Sequence, residues 1–504
     1  MGLNILLVNV RKESREERDY FDGRVVSRIL KGIDGYGIYP LSLPLIAALT
    51  PDRHTVTILD ENIEESDHAD DYDIVGFTAM TWQAPRVYRL AERYHRRGVY
   101  TVMGGIHATM LPDEVAQHVD TVIAGEAENT WREFLADFEV KRTRKLYRNT
   151  ETIDPDQYPS PRYDLIPREK YLHDVVQISR GCPYRCDFCS VHKYLGGKVR
   201  MKSPRKVFED IRAARENYRA RVHSLIDKPV IVFNDDNIAI NPEKLEAIVT
   251  YLESQEMVPE YTMCETSIDK AKQVEVIGLL KRMHCIKVFI GFESLSPAVL
   301  ASHNKTINNQ EDYARVIGNL RKNGMDIIAS FIVGNDHETW QDIQAVTDFI
   351  VRHDITSLLL NILTPYPGTD LFERLESQNR ITVKDWSFYD IKNVVFEPAP
   401  LTAAELRQAW LEVYATVMEP GNYRRRLKNR LRQVINPSRN LRETLYLAGQ
   451  SLSPAIRSAS YPGALAGQLA MMPFFLRHRL NAAEAFDVFM GIDSHDFIQK
   501  EMLR

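Results

Sequence analysis

Short aliphatic and β-branched runs alternate with stretches of helical period in two separate series along this 504-residue chain, and that alternation restricts the fold more than any other feature. The first series occupies residues 3–135, with strands expected at Ile5–Val10, Thr55–Leu59, Ile74–Thr78, Tyr100–Met103 and Thr121–Ala124. Between them, Arg86–Arg97 sets Val87, Leu90, Ala91 and Tyr94 on one helical face. Such alternation predicts a parallel, doubly wound α/β sheet of Rossmann-like type, because parallel neighbours need a crossover. The second series begins at Val175, with strands expected at Val175–Ser179, Val230–Asn234, Tyr261–Cys264, Ile286–Gly291, Ile327–Val333 and Leu358–Leu363. Helical stretches such as Pro204–Tyr218 and Gln310–Asn323 separate these strands. Six βα units suit a partial (β/α)6 barrel of the TIM kind better than a closed eight-fold one. Between the series, KRTRK and Pro155, Pro159, Pro161 and Pro167 read as a linker. The expected divisions are a first domain at 1–140, a linker at 141–170, a barrel at 171–375 and a helical C-terminal region at 376–504.

A hydrophobic share of 44% and a charged share of 26% place the chain among ordinary globular proteins. A net charge of −5 gives no footprint for a nucleic-acid partner, and none is expected. The opening MGLNILLVNV lacks a basic start and a small-residue cleavage site, so it reads as a first strand rather than a signal peptide. No uninterrupted apolar run approaches the ~20 residues that span a bilayer. The expected compartment is the cytoplasm. Five cysteines are too few and too clustered for a disulfide framework.

Three of them, Cys182, Cys186 and Cys189, stand in SRGCPYRCDFCS after the first barrel strand. Barrel active sites gather at that end, where the loops converge. Thiolates spaced C-x3-C-x2-C suit three irons of a [4Fe–4S] cubane and leave the fourth open, unlike the four-cysteine clusters of electron carriers. A structural zinc site using the same cysteines and His192 is the alternative.

This triplet in this position resembles the radical S-adenosylmethionine (SAM) superfamily, over residues 175–370. The resemblance implies that SAM chelates the open iron through its methionyl amine and carboxylate. Reductive cleavage would then yield a 5′-deoxyadenosyl radical that abstracts hydrogen, the cofactor carrying the chemistry while the protein positions it. The same resemblance puts Phe188 near the adenine, Asn234, Asp235 and Asp236 near the methionyl amine, and Glu265 and Glu293 near methionyl or ribose groups. SFIVGNDHE is similar to the family's G-x-I-x-G-x3-E, retaining Ile332, Gly334 and Glu338, with Ser330 in place of the first glycine. Cys264 and Cys285 are expected to be small buried residues. Methylthiotransferases share the layout but need N-terminal cysteines, and residues 1–181 contain none.

In the first domain the strand ends carry Asn9, Thr78, Gly104, Gly105, Gly125 and Glu126, where doubly wound sheets bind ligands. MGGIHATMLPDE, GEAENT and PSPRYDL resemble the cobalamin (B12)-binding domains fused to radical SAM barrels, and so imply cobalamin as a further cofactor. The cobalt-ligating histidine of D-x-H-x2-G is missing from VNVRKESREERDYFDG, which implies a lower cobalt face left open or differently ligated. His107 is read as structural.

Between Arg424 and Arg442 lie eight basic residues and no acidic ones, and Ala464–Leu476 is apolar but broken by Pro473. The pair suits an anionic surface, such as the inner membrane; a solvated helix face is the alternative. The extension resembles that of hopanoid methylases. Together these features predict cobalamin-dependent methylation of an unactivated carbon of a small-molecule, lipid or tetrapyrrole substrate, with an external flavodoxin- or ferredoxin-type electron donor. The alternatives are a radical cyclase of the anaerobic porphyrin-ring type and a non-catalytic cobalamin- or iron-sensing protein.

Overall fold

The computed structural model describes residues 2–12, 38–63, 71–167, 171, 173–221 and 230–417, together with 419, 421–423, 425, 426, 429 and 430. Six parallel strands form the first sheet: β1 (Asn4–Asn9), β2 (Thr55–Asp60), β3 (Ile74–Thr78), β4 (Tyr100–Gly104), β5 (Thr121–Ala124) and β6 (Leu146–Arg148), in the order β2-β1-β3-β4-β5-β6. Helices α1 (Ser42–Leu49), α2 (Ala84–His95), α3 (Ile106–Met110) and α4 (Ala127–Glu139) lie between them in sequence. The period-two alternation of β1 sorts its side chains. Leu6 and Val8 join Val87, Leu90 and Tyr94 of α2 in one core, whereas Ile5 and Leu7 join Leu43 of α1 and Trp131 and Phe134 of α4 in the other. Each aliphatic or aromatic side chain so buried contributes about 1.5–3 kcal/mol, so these two faces, rather than the propensity of short helices, hold the layers together. Because β1 pairs with both β2 and β3, the winding reverses there and a crevice opens beyond their carboxyl ends.

β6 lies inside the stretch expected to be linker. Three residues, LYR, are too short to show an alternation, and they become a strand only by pairing with β5 at Val122↔Leu146.

The second sheet contains β7 (Asp174–Val176), β10 (Val230–Phe233), β11 (Tyr261–Glu265), β12 (Cys285–Glu293), β13 (Asp326–Val333) and β14 (Ser357–Ile362), all parallel and in that spatial order. It is an open six-stranded partial barrel. A separate two-stranded hairpin, β8 (Ser179–Arg180) with β9 (Arg200–Met201), follows β7. Helices α5 (Pro204–Arg221), α6 (Pro242–Ser254), α7 (Val274–Arg282), α8 (Gln310–Lys322) and α9 (Trp340–Arg352) clothe the outside, followed by α10 (Asp370–Ser377) and α11 (Ala403–Val417). An open sheet leaves an unpaired edge. At β14, α11 covers it: Tyr414 Oη accepts from the Leu360 N–H at 3.1 Å, and Trp410 Nε1 donates to the Leu360 carbonyl at 2.9 Å.

Residues 378–402 form an irregular strap across both domains, and the helical part of the C-terminal region begins at Ala403. Trp386 Nε1 in the strap donates to Glu114 of the first domain at 2.8 Å, Lys12 pairs with Asp390, and the Ile362 N–H at the end of β14 donates to the Ile391 carbonyl at 2.7 Å. Among the described residues no helix is long and apolar enough to cross a membrane.

Candidate active site

The loop bearing the three cysteines is closed at its neck by the β8–β9 hairpin, where Ser179 faces Met201 and Arg180 faces Arg200. Gly181, with φ of +88°, follows immediately. A Cβ there would stand 2.6 Å from the Lys198 carbonyl, so only glycine lets the two limbs of the loop cross. The Cys182 N–H then donates to the Gly196 carbonyl at 3.3 Å.

Asp235, just beyond β10, sets where this loop departs. Its carboxylate accepts from the Ile178 N–H at 3.1 Å, from Ser179 Oγ at 2.6 Å and from the Ser179 N–H. These bonds take Ile178 and Ser179 out of the sheet, which is why β7 stops at Val176. Burial pushes Asp235 up to about 6, against the pull of those donors. The carboxylate is therefore occupied by the chain's own loop. Asn234 is exposed, and its carbonyl lies 3.4 Å from Gln177 Nε2. Asp236 is pushed up by burial.

Glu265 ends β11 and Glu293 ends β12, both at the mouth. Desolvation first, and then the nearby Asp236 carboxylate, push Glu265 up to about 8, while Lys305 pulls the other way. Glu293 follows a register shift in the pairing with β13 and has φ of +63°, which turns its side chain across Gly291. There Glu293 Oε1 meets Lys305 Nζ at 2.9 Å.

Lys305 is the residue that sequence reasoning missed. It sits in SHNKTIN, with no motif around it, yet it is the cation that lowers all three cysteine thiols. Burial pushes those thiols up, Cys189 to about 12, so without a metal they stay protonated. Binding iron there releases protons and removes the desolvation penalty, so the donor set fits a metal–thiolate centre. A cubane takes one thiolate per iron, whereas tetrahedral zinc needs its ligands converged on one point. Among the described residues no three His, Cys, Asp or Glu side chains are gathered closely enough for a single ion.

Phe188 lines a small cleft with Glu293, Val299, Leu300, His303, Lys305, Ile332 and Asn335. His303 closes it from beneath, 2.6 Å from Asp187 Oδ1 and 2.6 Å from Asn335 Oδ1, so it joins the cysteine loop to the loop after β13. Gly334 is occupied differently from expectation. A Cβ there would lie 2.6 Å from Leu406, so the glycine admits α11 rather than facing open space. Glu338 accepts from the Gly334 N–H at 2.6 Å and the Asn335 N–H at 3.2 Å, folding that loop back, and burial pushes it up to about 7.

In the first domain, Asn9, Thr78, Gly104, Gly105 and Gly125 stand at the carboxyl edge. Gly105 has φ of +92°, and a Cβ would come 2.9 Å from Thr78 Oγ1 and 3.0 Å from the Ala79 nitrogen. Its glycine is thus demanded first by the neighbouring strand end. At Gly104 a Cβ would make only ordinary contact with Ile123. Thr109 Oγ1 ties the edge together, donating to the Gly105 carbonyl at 2.9 Å and accepting from the Gly125 N–H at 2.8 Å. Asn9 Oδ1 lies 3.4 Å from Gln83 Nε2. Glu126, directly after Gly125, forms ion pairs with Arg180 at 2.8 Å and Arg200 at 2.5 Å. His107 is fully buried, its Nε2 2.9 Å from Tyr88 Oη, which donates to Glu114 at 2.8 Å. Most of VNVRKESREERDYFDG lies outside the described residues.

Of the three described basic residues of the tail, Arg425 is exposed, whereas Arg426 and Arg430 are not part of a solvated face. Arg426 is buried and donates to the Ile355 and Val417 carbonyls, and Arg430 is buried with Nε 3.1 Å from Asp326 at the base of β13. Arg425 pairs with Asp354 at 3.3 Å. Periodicity could not show that the barrel's amino end offers unsatisfied carbonyls and a buried carboxylate. Arg424, Lys428, Arg432, Arg439, Arg442 and Ala464–Leu476 lie outside the described residues.

Profiles of the Radical SAM superfamily match residues 176–350, of the B12 binding domain residues 29–135, and of a domain of unknown function (DUF4070) residues 369–461. The bacteriochlorophyllide d C-12(1)-methyltransferase of Chlorobaculum tepidum is 30% identical over 398 residues, 78% of this chain and 85% of that protein. The chain belongs to the radical SAM enzymes with an N-terminal B12-binding domain. It is an enzyme rather than a sensor, and its cofactors are a [4Fe–4S] cluster, SAM and cobalamin. In this family it is also similar to the hopanoid C-2 methylase of Rhodopseudomonas palustris, 26% identical over 69% of this chain and 66% of that one. The fold is shared with the radical SAM methyltransferase TsrM from Kitasatospora setae (TM-score 0.60, 14% identity, 90% of this chain and 99% of that). It is shared equally with the cobalamin-dependent radical enzyme OxsB (TM-score 0.62, 14% identity, 100% of this chain and 80% of that).

Proposed function

We propose that this enzyme methylates an unactivated carbon of a small organic substrate, with tetrapyrroles the favoured class and lipids the second. The observation that carries this reading is the likeness to the bacteriochlorophyllide methyltransferases, 28% and 30% identical over 86% and 85% of their length. The bound cofactors supply reductive cleavage of SAM and carriage of a methyl group. The residues proposed to hold them are Cys182, Cys186 and Cys189 for the cluster, Phe188, Asp236, Glu265, Glu293 and Ile332 for SAM, and the edge from Asn9 through Thr78, Gly104 and Gly105 to Gly125 for cobalamin. Lys305 balances the negative charge that the carboxylates and thiolates bring to the mouth. The strap with Trp386 and Asp390 walls the space between the two domains and keeps water from it.

The reducing electron is proposed to come from an external donor. Beyond the triplet, the only other cysteines are Cys264 and Cys285, a buried pair with sulfurs 3.7 Å apart, too few for a second cluster of the usual kind. A peripheral membrane contact would rest on the exposed Arg425 and on the basic and apolar residues outside the described ones. The second reading is a radical cyclase, favoured by 24% identity to the anaerobic magnesium-protoporphyrin IX monomethyl ester cyclase of Rubrivivax gelatinosus over 66% of this chain. Anaerobic incubation of the reconstituted enzyme with candidate tetrapyrroles and methyl-labelled SAM decides between them. Label in the product, with a mass gain of one methyl group, is expected. A product that loses hydrogen without gaining label would establish the cyclase instead.

A further inference from the structure

The three cofactors bind to two domains, so their mutual placement depends on what joins the domains beside the cysteine loop. One contact stands out because it grips that loop directly. Glu126 and Glu128, at the turn from β5 into α4, meet Arg180, two residues before Cys182, and Arg200 on the opposite strand of the hairpin. Arg180 Nη1 donates to Glu126 Oε1 at 2.8 Å and to Glu128 Oε1, and its Nε donates to Gln177 at 2.8 Å. Arg200 Nη1 donates to Glu126 Oε2 at 2.5 Å and to the Ile153 carbonyl at 3.2 Å, and its Nη2 donates to the Leu195 carbonyl at 2.8 Å. The side chains of Glu126, Glu128 and Arg200 are 8%, 5% and 8% exposed, and that of Arg180 15%.

Two carboxylates facing two guanidinium groups cancel in charge, so the cluster is stable once assembled. Breaking it leaves a charge without its partner inside the protein, which resists any other arrangement. Planar guanidinium–carboxylate contacts also fix orientation as well as distance. We propose that Arg180, with Glu126 and Glu128, is a positioning device that sets the distance and angle between the cobalamin edge and the iron–sulfur loop. The inference rests on the cofactor assignment of the preceding section, and it gives the family-like segment GEAENT a task at the domain junction rather than at the corrinoid. Methyl transfer between SAM and cobalt needs both held in register, and a displacement of about 1 Å can cost about a hundredfold in rate. Cleavage of SAM at the cluster needs no such register with cobalt.

The test compares Glu128→Gln, which leaves Arg180 its bond to Glu126, and Arg180→Lys with wild type and with Tyr171→Phe. The last removes a different interdomain bond, from Tyr171 Oη to Asp60 at 2.8 Å, made eleven residues before Cys182 and outside the β8–β9 hairpin. Each protein is reconstituted anaerobically and assayed for iron, sulfide and corrinoid. Pulsed electron paramagnetic resonance then measures the distance distribution between the reduced cluster and cobalt(II). The expected result for Glu128→Gln and Arg180→Lys is full cofactor content, 5′-deoxyadenosine release within about threefold of wild type, a broadened distance distribution, and S-adenosylhomocysteine formation lowered by about tenfold or more. Tyr171→Phe should match wild type in all four. An unchanged distribution with unchanged rates overturns the proposal. So does a parallel loss of iron, corrinoid and both activities, which marks the cluster as merely structural. Wild-type protein that retains no corrinoid instead refutes the cofactor assignment, and the positioning role falls with it.

Discussion

The carboxyl edge of the first sheet and the mouth of the second, linked through the Glu126–Arg180 ion pair, are built from opposite materials. The edge is shaped by backbone: Gly104, with Gly105 and Gly125 joined through Thr109, while the nearby Glu126 is held in ion pairs with Arg180 and Arg200. The mouth is charged: Glu293 pairs with Lys305, with Glu265 and Asp236 close by, beside the buried Cys186 and the part-buried Cys182 and Cys189. A large corrinoid is held by close approach over a wide area, which glycine permits. A small zwitterionic cofactor on a metal centre is held by placed charges. Substitutions should therefore act through shape on one side and through charge on the other.

The largest expected effect is at the mouth. Cys186→Ala removes one thiolate of three, and with it the cluster, so absorbance near ~400 nm and 5′-deoxyadenosine formation should both be lost. A variant that keeps four irons and cleaves SAM at the wild-type rate would dissolve the contrast. At the edge, the sharper test is a pair of adjacent glycines. Gly105→Val forces a branched residue to positive φ and into Thr78 and Ala79, and should cost about 2–3 kcal/mol of stability along with corrinoid retention. Gly104→Ala meets only ordinary contacts within the protein and should keep its stability. Denaturant melts and gel filtration with hydroxocobalamin read the two quantities separately. Equal losses from both glycines would mean that shape at this edge is not set by the strand crossing.

The smallest effect is one of pH. Glu338 has a folded value of about 7, above the ordinary 4.5, because burial disfavours its charge. The folded chain therefore holds a proton that the unfolded chain releases between those values. Its contribution to stability is full below about 4.5 and is lost as the pH rises through 7. Glu338→Gln retains an acceptor for the Gly334 N–H and should flatten that part of the stability–pH curve. An unaltered slope would show that another group carries it.

What the amino-acid sequence determined by itself was everything encoded within a short window. Alternation at period two and near 3.6 marked ten of the twelve strands of the two main sheets to within two residues at either end; β7 was placed too far along and β6 missed. The spacing of three cysteines, together with their place after a strand, identified the metal chemistry, because covalent spacing limits which atoms can share a cluster. Tertiary structure decided the rest. Lys305 balances the mouth without any motif of its own, Glu126 just beyond the end of β5 meets an arginine 54 residues away, and Arg426 and Arg430 turn inward to carbonyls and a carboxylate at the barrel's base. Each outcome depends on which desolvated charge meets which partner. That is settled only when segments far apart in the chain are packed together, since a charge leaves water only where an opposite charge or a hydrogen-bonding group is already in place.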